Sequence, residues 1–143
     1  MTLALLVILW PPAPALAETG GEGRARQDYM LNCQGCHQPD GTGTEGRVPN
    51  MKDFVGYYLR VPGGRDFLVR VPGAANSPLG DAELAAVMNW VLRTFSSGQL
   101  PEDFKPYSAE EVAALRDRPL LDVSSDRRSL IARISAINGV RLD

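Results

Sequence analysis

Apolar positions recur at helical spacing in several stretches of the chain, and no stretch alternates long enough to predict a strand. The strongest pattern covers residues 81–95. There Leu84, Val87, Met88, Val91, Leu92 and Phe95 follow the i, i+3, i+4 rule and form one apolar stripe. Asp81 is the expected N-cap, Pro78 precedes it, and Ser96-Ser97-Gly98 ends the element. Trp90 lies off the centre of the stripe, as expected of a helix–helix contact. Upstream, residues 24–33 read as a helix with Ala25, Tyr29 and Met30 facing inward, after a mobile Gly-rich lead-in over 18–23. Residues 51–59 predict a short helix with Phe54, Val55, Tyr58 and Leu59 on its apolar side and Tyr57 exposed. Residues 65–71 predict another, between Pro62-Gly63-Gly64 and Pro72-Gly73. Downstream, Ser108 and Glu111 have capping-box spacing before a helix over 109–116, which Pro119 breaks. A last helix is expected over 126–137, with Leu130, Ile131, Ile134 and Ile137 on one side and Gly139 beyond its end. The chain therefore reads as all-α, several short helices with a C-terminal helical extension.

The first residues read as an address. Residues 3–10 are uninterrupted apolar, far too few to span a bilayer, and Ala15-Leu16-Ala17 fits a small-x-small cleavage site. The expected organisation is an export signal over 1–17, a compact domain over 18–97 and an extension over 98–143, with no membrane span in the mature chain. A basic n-region is missing, and an uncleaved anchor is the competing reading.

Composition adds exclusions. With 15 Lys+Arg against 17 Asp+Glu, the net charge of −2 gives no electrostatic signal for nucleic acid. Aromatics are only 7%, so the core is aliphatic or something other than protein helps to fill it. Two cysteines and one histidine rule out a Cys-dense disulfide scaffold and a four-ligand Cys/His zinc site.

Those three residues stand together in Cys33-Gln34-Gly35-Cys36-His37. Cys-X-X-Cys-His is the attachment motif of c-type haem. Two thiols three positions apart reach the two vinyl groups of one porphyrin, and the adjacent imidazole supplies an iron ligand. A thioredoxin-like pair would need a βαβ context, a zinc site would need a second ligand pair, and a plain disulfide would leave His37 unexplained. One motif and one histidine imply one covalent haem c.

From these residues the chain resembles the class I cytochrome c family over about 24–95. A first helix leads into the Cys33–His37 motif, and a loop with Gly41, Gly43 and Gly46 follows. Val48-Pro49-Asn50-Met51 is similar to the family's Pro-Asn-Leu segment, and the helix over 81–95, with Asn89-Trp90, to its C-terminal helix. The resemblance implies that the Pro49 carbonyl orients His37, that the apolar side chain of Met51 packs on the haem, and that the last helix crosses the first.

The departure concerns the second axial ligand. The family supplies a methionine from the loop before its last helix, but residues 71–78 contain neither Met nor His. Met51, Met88 and Asn76 are weak candidates, each with a plainer reading: Met51 as haem packing, Met88 as core filler and Asn76 as a turn residue. Met30 reads as core and Lys52 as a solvated charge. Arg60, Arg65 and Arg70 read most plainly as a solvated face, with haem propionates or a docking surface as the functional alternatives, and Arg127-Arg128 reads as a surface pair. The expected function is periplasmic electron transfer to or from a dehydrogenase, an oxidase or another cytochrome, without enzymatic activity. An open-coordination haem protein binding a small ligand, as sensor or enzyme, is the alternative. A structural subunit stabilised by its haem is the third reading.

Overall fold

The computed structural model describes residues 17–138, so the expected export signal lies outside the described residues except for Ala17. The described chain is helical, and its one β-type pairing is an isolated bridge between Thr44 and Val48. In order, α1 is Ala17–Asn32, α2 Gln34–His37, α3 Gly64–Arg70, α4 Pro72–Ala75, α5 Asp81–Ser96, α6 Ala109–Arg116 and α7 Val123–Asn138; 3₁₀ turns span Val55–Arg60 and Ser97–Gln99.

The organising contact is the crossing of α1 over α5. Tyr29, 1% exposed, lies 5.1 Å from Trp90 and 5.4 Å from Phe95, ring centroid to centroid. Tilted and edge-on geometries of this kind suit the ring quadrupoles. The off-centre Trp90 is therefore the helix–helix contact its position predicts. The stripe of α5 packs inward as well: Leu84, Val87, Val91, Leu92 and Phe95 are buried, each worth about 1.5–3 kcal/mol of transfer free energy.

Several boundaries and faces differ from the pattern. Helix α1 runs back through residues expected to be a mobile lead-in. Once its packed half is nucleated, each further residue costs little to add, and the space beside Gly21 and Gly23 is open. Met30 is half exposed, because Ala25, Asp28 and Tyr29 occupy the inner face. The segment 51–59 forms turns and then the 3₁₀ element, with Tyr57 half-buried. Asp81 is the first helical residue and Gly80 the N-cap, whose N–H donates to the Glu83 carboxylate at 2.9 Å. At α6 only half a capping box forms: Ser108 accepts from the Glu111 N–H at 3.2 Å, while the Glu111 carboxylate turns to Arg65. Helix α7 begins three residues earlier than expected, and Ile137 on it is exposed.

Beyond Gly98 the chain wraps back over the rest. Asn89 exchanges two hydrogen bonds with the Tyr107 backbone, at 2.8 and 3.0 Å. The Arg65 guanidinium lies 4.1 Å from the Tyr107 ring centroid and donates to Glu111 at 2.7 Å. Val112, Leu115, Leu130 and Ile134 join the same hydrophobic cluster as Tyr29 and Leu92. No helix among the described residues is long and apolar enough to cross a membrane.

Candidate functional site

Local hydrogen bonding places the three motif side chains together. The Cys33 N–H donates to the Tyr29 carbonyl at 2.8 Å, closing α1. The Cys33 carbonyl then accepts from both Cys36 and His37, at 3.1 and 3.0 Å, which folds α2 into a single tight turn. Gln38 ends it with φ +65, a left-handed conformation rare outside glycine. Its carbonyl is tied to the Tyr29 hydroxyl at 2.6 Å, so the turn is clamped back onto the α1–α5 crossing.

The following loop folds onto this turn. Gly43 donates to the His37 carbonyl at 3.0 Å, Thr44 to Val48 at 2.9 Å and Met51 to Gly41 at 2.7 Å. Gly43 has φ +70, and a β-carbon there would collide with the backbone oxygens of Val48 and Pro49. The close approach lets Pro49 and Met51 stand beside His37. The His37 Nδ1 is buried and makes no hydrogen bond of ordinary geometry, although the Pro49 carbonyl is near enough to raise its pKa. Burial is the larger effect and lowers that pKa, so the imidazole is held neutral, the form that ligates metals.

These residues border a cavity of about 370 Å³. Cys33, Cys36, His37, Pro49 and Met51 form one part of its wall. Tyr58, Phe67, Leu68 and Val71 form another, and Leu84, Met88 and Val91 of α5 a third. The two thiols are not joined: Cys33 is half-buried and Cys36 exposed. Burial pushes the Cys33 thiol up, and Cys36 adds to the shift. A neutral thiol in an apolar wall is the reverse of a reactive redox cysteine, whose pKa is depressed. Among the described residues no cluster of three or more His, Cys, Asp or Glu side chains could hold a metal ion. Any metal bound beside His37 must therefore bring most of its own ligands, as a porphyrin iron does.

The expected site residues divide clearly. Cys33, Cys36, His37, Pro49, Met51, Met88 and Tyr58 are brought to one cavity. Asn76 is exposed and stands outside its lining. Lys52 is exposed, 4.0 Å from Asp40. Arg60 donates to the Gln99 and Leu100 carbonyls, Arg70 to the Arg118 carbonyl and Arg65 to Glu111, so all three are engaged with the tail. The alternative that they pair with haem propionates finds no support, because none of the three lines the cavity. The cation that does line it is Arg127 on α7, together with Val123. Sequence pattern alone missed Arg127; a signal was available in its position three residues before Leu130 and seven before Ile134, which puts it on the buried side of α7.

The wall built by α3, α4 and Ser77 is fastened from outside. Arg116 of α6 donates to the carbonyls of Ala75, Leu79 and Ser77, at 3.1, 2.8 and 2.6 Å, and to Asp81 at 3.1 Å. The short segment between α4 and α5 is thus stapled, and its cavity-facing residues include neither Met nor His.

The donor set fits a haem. A largely apolar cavity of ligand size carries two thiols and a neutral imidazole on one wall, spaced as the attachment chemistry requires. Two known proteins are similar over most of this chain. A cytochrome c-552 of Thermus thermophilus is 31% identical over 134 residues, covering 78% of this chain and 90% of that protein. A second cytochrome c-552 from the same species is 32% identical over 118 residues, covering 68% and 90%. No protein-family model matches. The geometry of the Cys33–His37 turn and this likeness agree, and the chain belongs to the c-type cytochromes, haem-carrying proteins of electron transfer.

Proposed function

We propose that this chain is a class I, single-haem cytochrome c that carries electrons in the periplasm to or from a dehydrogenase, an oxidase or another cytochrome. The observation that carries this is the Cys33–His37 turn opening onto the apolar cavity. Cys33 and Cys36 would each add S–H across a porphyrin vinyl group, forming a C–S bond with the hydrogen going to the neighbouring carbon. His37 would ligate the iron, with its Nδ1 turned toward the Pro49 carbonyl. Met51 would pack against the ring. When bound, the haem would supply a one-electron iron couple, and the apolar cavity would exclude water around it. No enzymatic step is needed for such a carrier. Residues 1–17 act as export signal, 18–97 as haem domain and 98–143 as an extension closing over it.

A second reading, an open-coordination haem that binds a small ligand, is favoured by one observation: the stapled segment between α4 and α5 has no sulfur or imidazole to offer. Met88 and Met51 line the cavity but sit on α5 and beside His37, each in a packing role.

Covalent haem is measured by intact mass and the alkaline pyridine spectrum, on wild type and Cys36→Ala. The wild type is expected to carry one haem and the variant to give much less holoprotein through a single thioether. Wild-type yield from Cys36→Ala, or a wild type without covalent haem, would overturn the assignment. On the same samples, a low-spin ferric spectrum and ferrous protein indifferent to CO support the carrier, whereas high-spin iron that takes up CO supports the open site.

A further inference from the structure

Arg127 is out of place as a surface cation. Its residue is half-buried, its Nε is buried and has no hydrogen-bond partner, and it lines the same cavity as Cys33 and His37. No other Lys, Arg, Asp or Glu is part of that lining among the described residues. No carboxylate of the described chain pairs with it, and its neighbours one turn away, Val123, Ser124, Leu130 and Ile131, have none. Arg127 borders the cavity, and its buried Nε–H without an acceptor is a cost that a partner for the guanidinium would offset. The neighbouring group is Tyr58, fixed by stacking on Phe67 at 5.2 Å and edge-on against Phe54 at 5.6 Å. Burial pushes the Tyr58 hydroxyl pKa up, and the Arg127 guanidinium beside it pulls part of the way back. The phenol oxygen accepts from the guanidinium, but Tyr58 is uncharged, and the cation still lacks an anion.

Haem brings that anion. Its vinyl edge is claimed by Cys33 and Cys36 on the turn after α1, and its other functional edge carries two propionate carboxylates. Helix α7 packs against the Val55–Arg60 turn that supplies Tyr58, and Arg133 of α7 ties to the Pro62 carbonyl at 3.0 Å just beyond it. Resting on the haem reading above, we propose that Arg127, reaching in from the C-terminal extension, is the partner of a haem propionate, and that this ion pair fastens α7 over the cavity. Guanidinium and carboxylate match as planar forks, and a half-buried pair is screened less than a surface one. Paired with a propionate, the cation would disfavour the ferric state and so raise the potential.

The test compares wild type, Arg127→Gln, Arg127→Lys and the exposed neighbour Arg128→Gln. Covalent haem is verified first in the wild type by the pyridine spectrum, and its absence would sink the haem reading rather than this one. With haem in place, Arg127→Gln is expected to lower the midpoint potential and to move the propionate bending band in the resonance Raman spectrum. Arg127→Lys, which keeps the charge but loses the fork, moves the band and leaves the potential near wild type. Arg128→Gln changes neither. If Arg127→Gln retains haem with band and potential unmoved, the proposal is wrong. It is equally wrong if the variant weakens cyanide binding while those two readouts stay put, because Arg127 then serves an iron ligand. Should Arg127→Gln yield no holoprotein, Arg127→Lys decides, and an unmoved band there overturns the pairing.

Discussion

At the scale of single residues, the site depends on contacts whose tolerance is close to zero. Gly43 has a left-handed backbone and no room for a β-carbon against the Val48 and Pro49 oxygens. Gly43→Ala is expected to cost about 2 kcal/mol or more, from strain together with displaced backbone. Because the displaced oxygen belongs to Pro49, the substitution is also expected to change the environment of His37. The check is a thermal melt paired with the optical spectrum; a variant as stable as wild type would mean the loop is slack. At this scale the sequence was most legible where chemistry dictates spacing. Cys33, Cys36 and His37 follow from the motif alone, because two thioethers and one ligand on one ring permit little variation. Arg127 was less legible: its spacing to Leu130 and Ile134 puts it on the inner side of α7, but spacing alone does not say that a cavity lies there.

At the scale of elements, periodicity located α5 and α6 closely, and the edges of the others moved for local reasons. Helix α5 has a full stripe and a Glu83 that closes its first turn, so propensity, burial and capping agree. The segment after Met51 has apolar residues at helical spacing but tightens into a 3₁₀ turn. Gly64 packs so close to the Tyr58 carbonyl that any side chain there would collide, which fixes the exit from that turn. Connections between elements are carried by arginines acting on carbonyls, a pattern with no sequence signature. Arg116 is the strongest example, joining α6 to the α4–α5 segment through three carbonyls and Asp81. Its guanidinium is mostly buried, so Arg116→Ala leaves several carbonyls without partners and is expected to destabilise by about 2–4 kcal/mol. Amide hydrogen exchange would show the loss concentrated in the turn before α5. Unchanged exchange there would show that the staple is redundant.

For the whole molecule, the modest core is completed by the tail and, on the proposal above, by the cofactor. Aromatics make up only 7% of the chain, and an apolar cavity of about 370 Å³ stands among its helices. The tail buries Tyr107, Val112, Leu115, Leu130 and Ile134 into the common cluster. Removing residues 119–143 takes away Leu130 and Ile134 as well as Val123 and Arg127 of the cavity wall. At about 1.5–3 kcal/mol for each fully buried aliphatic side chain, the truncated chain is expected to lose several kcal/mol. It is also expected to leave the haem open to external reductants, measured by thermal unfolding and by the rate of dithionite reduction. A truncated protein with the wild-type melting midpoint would show that α7 is not part of the cooperative unit.

The place of α7 also sets an order in time. A ribosome makes Cys33 and His37 long before Arg127, and domains acquire structure as the chain emerges. Until the last helix exists, the cavity lacks one wall, on the side where α7 meets the Val55–Arg60 turn. On the proposal above, that missing wall would leave a way in for a rigid ring. Helix α7 would then be the door of the site, hung last and closed behind its contents.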